Sequence, residues 1–330
     1  MPSTDMTLPQ LNGRLFLTDG GIETSLIFHD RIELPLFAAF DLLRHEAGSA
    51  ALGRYYRRYL ELARDAGTGF VFESPTWRAS RDWGRRLGYS ATALAAANRR
   101  ALALGMMLRR EAGDVPVVLS GCVGPRGDGY SPDRLMQAEE AEGYHAEQIG
   151  ALAAGGAEMI TAITMTHTGE AVGVARAAEV AGLPVAISFT VETDGRLPTG
   201  QGLGEAIREV DAQTDAAPAY YMINCAHPTH FAAVLRGAGR WAGRLRGVRA
   251  NASCRSHAEL DEATDLDDGD PEELGAQYAD LRRILPQLAV LGGCCGTDHR
   301  HVAAIARACG HRVTVDRCLS CPQTPGRAAN

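Results

Sequence analysis

The chain has 330 residues, enough for one large α/β barrel or for two domains of average size. Its hydrophobic content of 45% and charged content of 22% are those of an ordinary globular protein with a sizeable core. A net charge of −7 argues against nucleic acid as a partner, and no apolar run is long enough to cross a bilayer. The amino terminus lacks a positive region followed by an apolar one, so we expect a cytoplasmic protein whose eight cysteines are thiols or metal ligands.

Short apolar segments alternate with helix-like segments along the whole chain. The predicted strands are residues 14–18, 70–72, 116–119, 159–163, 185–189, 219–223, 245–249 and 288–291. The predicted helices are residues 49–66, 91–111, 139–154, 170–181, 204–213, 231–237, a helix that follows the acidic run 261–273 and reaches 285, and 301–309. This alternation predicts either a closed (β/α)₈ barrel or a doubly wound open sheet.

The positions of the polar residues favour the closed barrel. Single polar or thiol side chains follow the ends of predicted strands one, two, six, seven and eight, namely Asp19, Thr76, Cys225, Asn251 and the pair Cys294–Cys295. Only a closed barrel brings the carboxyl ends of all these strands to one mouth. The sequence therefore predicts an α/β protein with a (β/α)₈ TIM barrel, a single domain over residues 1–330 whose core spans about 14–310 between polar tails.

Three cysteines are candidates for a metal site. Cys294 and Cys295 lie between glycines in Gly292-Gly-Cys-Cys-Gly296, and Cys225 follows Asn224 at the end of another apolar segment. Adjacent side chains on a regular strand point to opposite faces, but flanking glycines allow both sulfurs to turn toward one point. Three thiolates with an open fourth corner are typical of a catalytic zinc site. The alternative is a close-packed turn that contains inert buried thiols.

The chain resembles the homocysteine S-methyltransferase family, which consists of zinc-dependent barrels. The resemblance extends from about residue 14 to residue 310. It rests on five stretches in order: Thr18-Asp-Gly-Gly-Ile-Glu-Thr24, Thr76-Trp-Arg-Ala-Ser80, Ser188-Phe-Thr190 with Asp194-Gly-Arg-Leu197, Asn224-Cys225, and Gly292-Gly-Cys-Cys-Gly-Thr297. The Gly-Gly-Cys-Cys motif paired with an upstream Asn-Cys is highly specific, whereas Asp-Gly-Gly alone is weak.

The resemblance implies roles for individual residues. Cys225, Cys294 and Cys295 would bind Zn²⁺, and Asp19 would help to hold the amino group of the acceptor. Asn251 would occupy the open position of the metal until substrate arrives, or it is a turn residue that satisfies its own backbone. Asp19 could instead order its loop. Two weaker catalytic candidates could equally buttress the mouth: Thr76 and Asn224.

The implied activity is zinc-dependent transfer of a methyl group to a thiol such as homocysteine, which gives methionine. The donor would be a small sulfonium or ammonium compound: S-methylmethionine, S-adenosylmethionine or betaine. Zinc would keep the acceptor sulfur as the nucleophilic thiolate. Trp77 and Tyr130 are candidates for cation–π contact with the donor, or for packing. The alternatives are a different thiol or selenol acceptor and a non-catalytic, zinc-braced binder of sulfur compounds. Nucleic acid and membrane are not expected as partners, and an oligomer is possible.

Two features depart from the family pattern or lie outside it. Many members end strand four with a glutamate for the amino-acid substrate, but Ile163 or Thr164 occupies that position here. We therefore expect either an acceptor other than homocysteine or a substitute such as Glu73. The tail pair Cys318-x-x-Cys321 is half of an intersubunit metal site, a redox pair, or part of a disordered tail.

Overall fold

The structure is a computed structural model that describes residues 8–130 and 135–310. Its parallel strands form one closed barrel in chain order. They are β1 Phe16–Leu17, β2 Gly69–Glu73, β3 Val117–Val123, β4 Met159–Met165, β5 Val185–Phe189, β6 Tyr220–Asn224, β7 Leu245–Ala250 and β8 Val290–Gly293. Strand β1 pairs with both β2 and β8, which confirms the predicted barrel and excludes the open sheet.

Helices connect the strands around the outside of the barrel. Their bounds are α1 Ile22–Thr24, α2 Glu46–Asp65, α3 Arg81–Arg86, α4 Ala91–Glu111, α5 Ala138–Ala154, α6 Thr168–Val180, α7 Leu203–Gln213, α8 Pro228–Arg236, α9 His257–Asp261, α10 Pro271–Ile284 and α11 His299–Gly310. The predicted helices correspond to α2, α4, α5, α6, α7, α8, α10 and α11. The sequence missed α1, α3 and α9, because helices this short do not complete an apolar repeat. Among the described residues, no helix is both long and apolar enough to span a membrane.

The barrel interior changes from apolar to polar along its axis. At the amino-terminal end of the strands it is filled by an apolar cluster that includes Phe16, Val71 and Met222. Side chains two residues apart on a strand share a face, so Glu73 and Asn224 also point inward, one step closer to the carboxyl ends. Both are buried, as are Thr18, Ser120, Thr161, Ser188 and Arg249. The apolar layer closes one end of the barrel, and the polar layer forms the floor of a site at the other.

Candidate active site and metal centre

The structure brings the three predicted cysteines together at the carboxyl end of the barrel. The Sγ atoms of Cys225, Cys294 and Cys295 lie within 4.8 Å of one another. Cys225 and Cys294 form a disulfide, and Cys295 Sγ lies 4.0 Å from Cys225 Sγ. Two of the three cysteines expected as thiols are therefore paired, because the strand ends hold their Cα atoms 5.4 Å apart, within disulfide range.

The backbone at Cys225 explains how its sulfur reaches the cluster. Asn224 faces the barrel interior, so a regular strand would direct the next side chain toward the helices. Cys225 instead has a φ of 52°, in the left-handed region that non-glycine residues rarely adopt. Its carbonyl oxygen is bound by His257 Nε2 at 2.6 Å, and its N–H donates to Arg249 O at 3.1 Å. These contacts hold a turn that returns the thiol to the mouth.

The glycines around Cys294 and Cys295 act differently from the prediction. Gly292 and Gly293 do not leave strand geometry, since β8 includes both. They are required for close approach: a Cβ on Gly292 would lie 1.9 Å from Thr18 Oγ1, and a Cβ on Gly293 would lie 1.9 Å from Thr297 Oγ1. Only Gly296, with a φ of 77°, uses the conformational freedom that we expected of all three.

Tyr130 and His257 close one side of the cysteine cluster. The Tyr130 hydroxyl donates to Cys295 Sγ at 3.3 Å, and its ring stacks on His257 with centroids 4.0 Å apart. His257 Nδ1 lies 3.0 Å from Glu192 Oε1, which fixes the orientation of the imidazole. His257 thus already covers one face of the Tyr130 ring. Sequence reasoning did not assign His257 to the site.

Asn251 supplies a buried oxygen without a protein partner. Its side chain is 2% exposed, and its Oδ1 accepts no hydrogen bond from the described residues. The next residue, Ala252, donates its N–H to Cys295 O at 3.1 Å, which places Asn251 beside the cluster. An oxygen left unsatisfied here fits the predicted ligand role, which stays a prediction.

Thr76 and Asn224 are both satisfied by neighbouring protein groups. The Thr76 hydroxyl donates to Cys122 O at 2.6 Å. The Asn224 carboxamide oxygen accepts from Thr164 N at 2.9 Å and from Ser188 Oγ at 2.6 Å. Both side chains are fully buried, and neither lines the cavity described below. These contacts match the buttressing alternative. Asn224 Nδ2 also lies 3.9 Å from Cys294 Sγ, and a catalytic role for either residue remains a prediction.

Asp19 is engaged by an arginine that the sequence reasoning missed. Arg249 donates to Asp19 Oδ1 at 2.7 Å, and the Tyr55 hydroxyl donates to Asp19 Oδ2 at 3.1 Å. Burial raises the pKa of the Asp19 carboxyl, although Arg249 and Tyr55 oppose the shift. The position of Arg249, two residues after the inward-facing Gly247 on β7, was the available signal. Asp19 lines the cavity, and its role toward the acceptor stays a prediction.

A cavity of about 350 Å³ opens beside the cysteines. Glu23 and Glu73 line it, and burial raises the pKa of each carboxyl to about 7. Trp77 also lines it, with the Arg78 guanidinium 4.8 Å from its ring centroid. Ile163 and Thr164 line it as well, so the end of strand four faces the cavity without a carboxylate.

The acidic run 261–273 contributes to the mouth of this cavity. Asp261, Asp265 and Asp267 line the opening, and Asp267 accepts a hydrogen bond from Ser253 Oγ at 2.7 Å. The run therefore forms part of the wall and is held to the segment that follows β7 through the Ser253–Asp267 hydrogen bond.

The three sulfurs form a donor set that suits a metal ion. Zinc binds cysteine sulfur at about 2.3 Å in a tetrahedron, which places neighbouring sulfurs about 3.8 Å apart. The separation of 4.0 Å between Cys225 and Cys295 is close to that value. The cluster can therefore hold a metal once the Cys225–Cys294 bond is reduced.

The fold is a parallel barrel with three cysteine sulfurs clustered at the carboxyl end of its strands. The family model described as homocysteine S-methyltransferase matches residues 16–309. The chain therefore belongs to the homocysteine S-methyltransferase family and is a methyltransferase.

Named relatives agree with this assignment. The chain is 26% identical over 320 residues to homocysteine S-methyltransferase 4 of Zea mays, and the match covers 90% of each protein. It superposes on the oxidised form of the homocysteine methyltransferase MmuM from Escherichia coli with a TM-score of 0.71 and 18% identity, covering 89% of this chain and 96% of that one. The metallated form of MmuM gives a TM-score of 0.68. These similarities show that the fold is shared.

Proposed function

We propose that the protein is a zinc-dependent S-methyltransferase that moves a methyl group from a small cationic donor to a thiol, with homocysteine as acceptor and methionine as product. The observation that carries this proposal is the convergence of three cysteine sulfurs beside a cavity at the mouth of the barrel. Family membership supports the reaction class. A cytoplasmic location stays a prediction from the sequence.

The chain's own residues would prepare the two reactants. Reduced Cys225, Cys294 and Cys295 would hold zinc, which when bound keeps an acceptor sulfur as thiolate near neutral pH. The cavity beside the sulfurs would hold donor and acceptor close together, which suits a direct in-line transfer without a covalent enzyme intermediate. The Tyr130 hydroxyl would hold Cys295 in place through its hydrogen bond to the sulfur.

The charge of the cavity supports a cationic donor. Its lining contains more carboxylates than guanidinium groups: Asp19, Glu23, Glu73, Asp128, Asp261, Asp265 and Asp267 against Arg78 and Arg249. Such a surface attracts a sulfonium or quaternary ammonium compound and does not attract the product that has lost the donor's positive charge. The volume of about 350 Å³ lies at the small end of ligand pockets, which favours S-methylmethionine over the larger S-adenosylmethionine.

The test is a matrix of donors and thiols with zinc-loaded, reduced protein. S-methylmethionine, S-adenosylmethionine and betaine would each be offered with homocysteine, with other thiols and with a selenol. We expect the highest kcat/KM for a sulfonium donor with homocysteine. Methylation of another thiol or selenol in preference would favour the alternative acceptor, and no transfer with any pair would contradict the proposal.

Trp77 is the aromatic side chain best placed to contact the donor. Its indole lines the cavity, and the Trp77→Ala substitution removes the ring face that would attract the methyl-bearing cation. We expect the KM for the donor to rise about 10-fold while the KM for the acceptor changes little. Trp77→Phe, which retains an aromatic face, is the matched control. An unchanged donor KM in Trp77→Ala would show that this indole only packs.

A further inference from the structure

Glu73 is a buried carboxylate whose hydrogen bonding is incomplete. It ends β2, its side chain is 3% exposed, and it lines the cavity. Neither of its carboxylate oxygens accepts a hydrogen bond of normal geometry from the described residues. The nearby hydroxyls of Ser120 and Thr161 bond to each other at 2.7 Å. A buried charge without a partner is costly, so this arrangement indicates a partner that arrives from the cavity.

The other buried carboxylates among the described residues have partners within the protein, and Asp298 is bound by Arg300. Asp19 is bound by Arg249 and Tyr55, and Glu170 lies 2.9 Å from His145 Nε2. Arg249 does not fill the same role for Glu73. Its guanidinium hydrogen bonds go to Asp19, to Gly20 O at 3.1 Å and to Gly293 O at 2.9 Å. The incomplete hydrogen bonding thus singles out Glu73.

Glu73 lines the same cavity as the three sulfurs. In a closed ring of strands in chain order, β2 lies across the interior from β6, which leads into Cys225. The interior of an eight-stranded barrel is just wide enough for side chains or one small ligand. An amino acid that carries a thiol on a short aliphatic chain has its sulfur at one end and its ammonium group at the other. Such a molecule can direct its sulfur to the cluster and its ammonium group to Glu73, because both line one cavity of about 350 Å³.

We propose that Glu73 binds the ammonium group of the thiol acceptor and so selects amino-acid thiols over thiols that lack the amino group. This inference rests on the proposed function, since it concerns the acceptor in the same cavity. The ammonium group would donate to the two carboxylate oxygens that otherwise have no partner. Ile163 and Thr164, at the end of strand four, offer no charge for this purpose.

The test compares Glu73→Gln with the wild-type protein on two acceptors. Homocysteine carries the ammonium group, and 4-mercaptobutanoate has the same carbon chain without it. With homocysteine, we expect Glu73→Gln to raise the acceptor KM about 10- to 100-fold with a smaller change in kcat. With 4-mercaptobutanoate, the substitution should change KM less than about 2-fold. Glu61→Gln, at an exposed position on α2, is the matched control and should leave both values unchanged.

The possible outcomes separate the two proposals. If the wild-type protein methylates no thiol, the proposed function fails. If it methylates homocysteine but Glu73→Gln raises the KM of both acceptors equally, Glu73 has a structural role and the inference is overturned. An unchanged homocysteine KM in Glu73→Gln overturns it as well.

The stability of Glu73→Gln gives an independent readout without substrate. Burial raises the pKa of Glu73 from its ordinary 4.5 to about 7, although Arg249 and the Ser120 and Thr161 hydroxyls lower it and Asp19 raises it. A carboxyl with a raised pKa costs stability only when ionised, so the wild-type protein loses stability as pH rises from about 5 through 7. We expect Glu73→Gln to raise Tm more at pH 8 than at pH 5. A lower Tm at both pH values would indicate that the carboxylate is bound within the protein.

Discussion

Replacing Cys295 by alanine should abolish both metal binding and methyl transfer. Two remaining sulfurs cannot provide the three thiolates that a catalytic zinc site needs. Under reducing conditions we expect bound zinc to fall from about one ion per chain to nearly none. The kcat/KM for methyl transfer should fall by at least about 1000-fold, because a catalytic metal supplies several kcal/mol of stabilisation. Metal analysis and a methyl-transfer assay on the same preparation measure the two losses.

The control for this experiment is another cysteine of the same chain. Cys254 is free and exposed, so Cys254→Ala should retain zinc, activity and Tm. A Cys295→Ala protein that keeps full zinc occupancy and activity would show that this cysteine cluster is not the metal centre. Cys225→Ala and Cys294→Ala should repeat the double loss, because their sulfurs belong to the same group.

Removing the charge of Arg249 should be the most destabilising single change at the barrel mouth. Arg249→Met leaves the Asp19 carboxylate buried with only the Tyr55 hydroxyl as a side-chain partner. Breaking one side of a buried ion pair typically costs about 3–5 kcal/mol of folding free energy. We expect the free energy of unfolding, measured by urea denaturation, to fall by about that amount.

A double substitution distinguishes the lost pair from lost packing. In Asp19→Asn/Arg249→Met no unpaired charge remains, so this protein should be more stable than Arg249→Met alone. The double-mutant cycle then gives the coupling energy of the pair. Equal stability of the single and double variants would show that Arg249 contributes through its aliphatic packing and not through its charge.

The sequence was sufficient to predict the closed barrel and to predict that the three cysteines meet at its mouth. Strand and helix positions follow from apolar periodicity, and the polar residues after the strands indicate which edge forms the mouth. Cys225 is the instructive case. Its neighbour Asn224 points into the barrel, so the alternation of side chains along a strand would by itself direct Cys225 away from the site. The resemblance included it, and the structure supplies the reason in the left-handed turn at φ 52°.

Other parts of the site depend on contacts that periodicity cannot encode. Arg249 and Glu73 lie at the ends of strands whose sequences are typical of core segments. Arg249 matters because it pairs with Asp19 in the loop after β1, and Glu73 matters because its carboxylate lacks a partner. His257 comes from a short helix after an exposed turn, where the local sequence contains no periodic signal. The disulfide between Cys225 and Cys294 depends on a distance between two strand ends, which only the folded chain defines. Cys318 and Cys321 lie outside the described residues.

The shortness of β1 has a consequence for how this protein loses function. This strand contributes only Phe16 and Leu17, each paired with one residue on β2 and one on β8. Just beyond it, Asp19 O accepts from Gly293 N and its carboxylate from Arg249, so the loop after β1 is anchored to both β7 and β8. Substitutions that weaken these contacts would open the barrel at its shortest strand. The same change would move Cys294 away from Cys225 and Cys295. Inactivating mutations are therefore expected to cluster along β1, at positions that never contact a substrate.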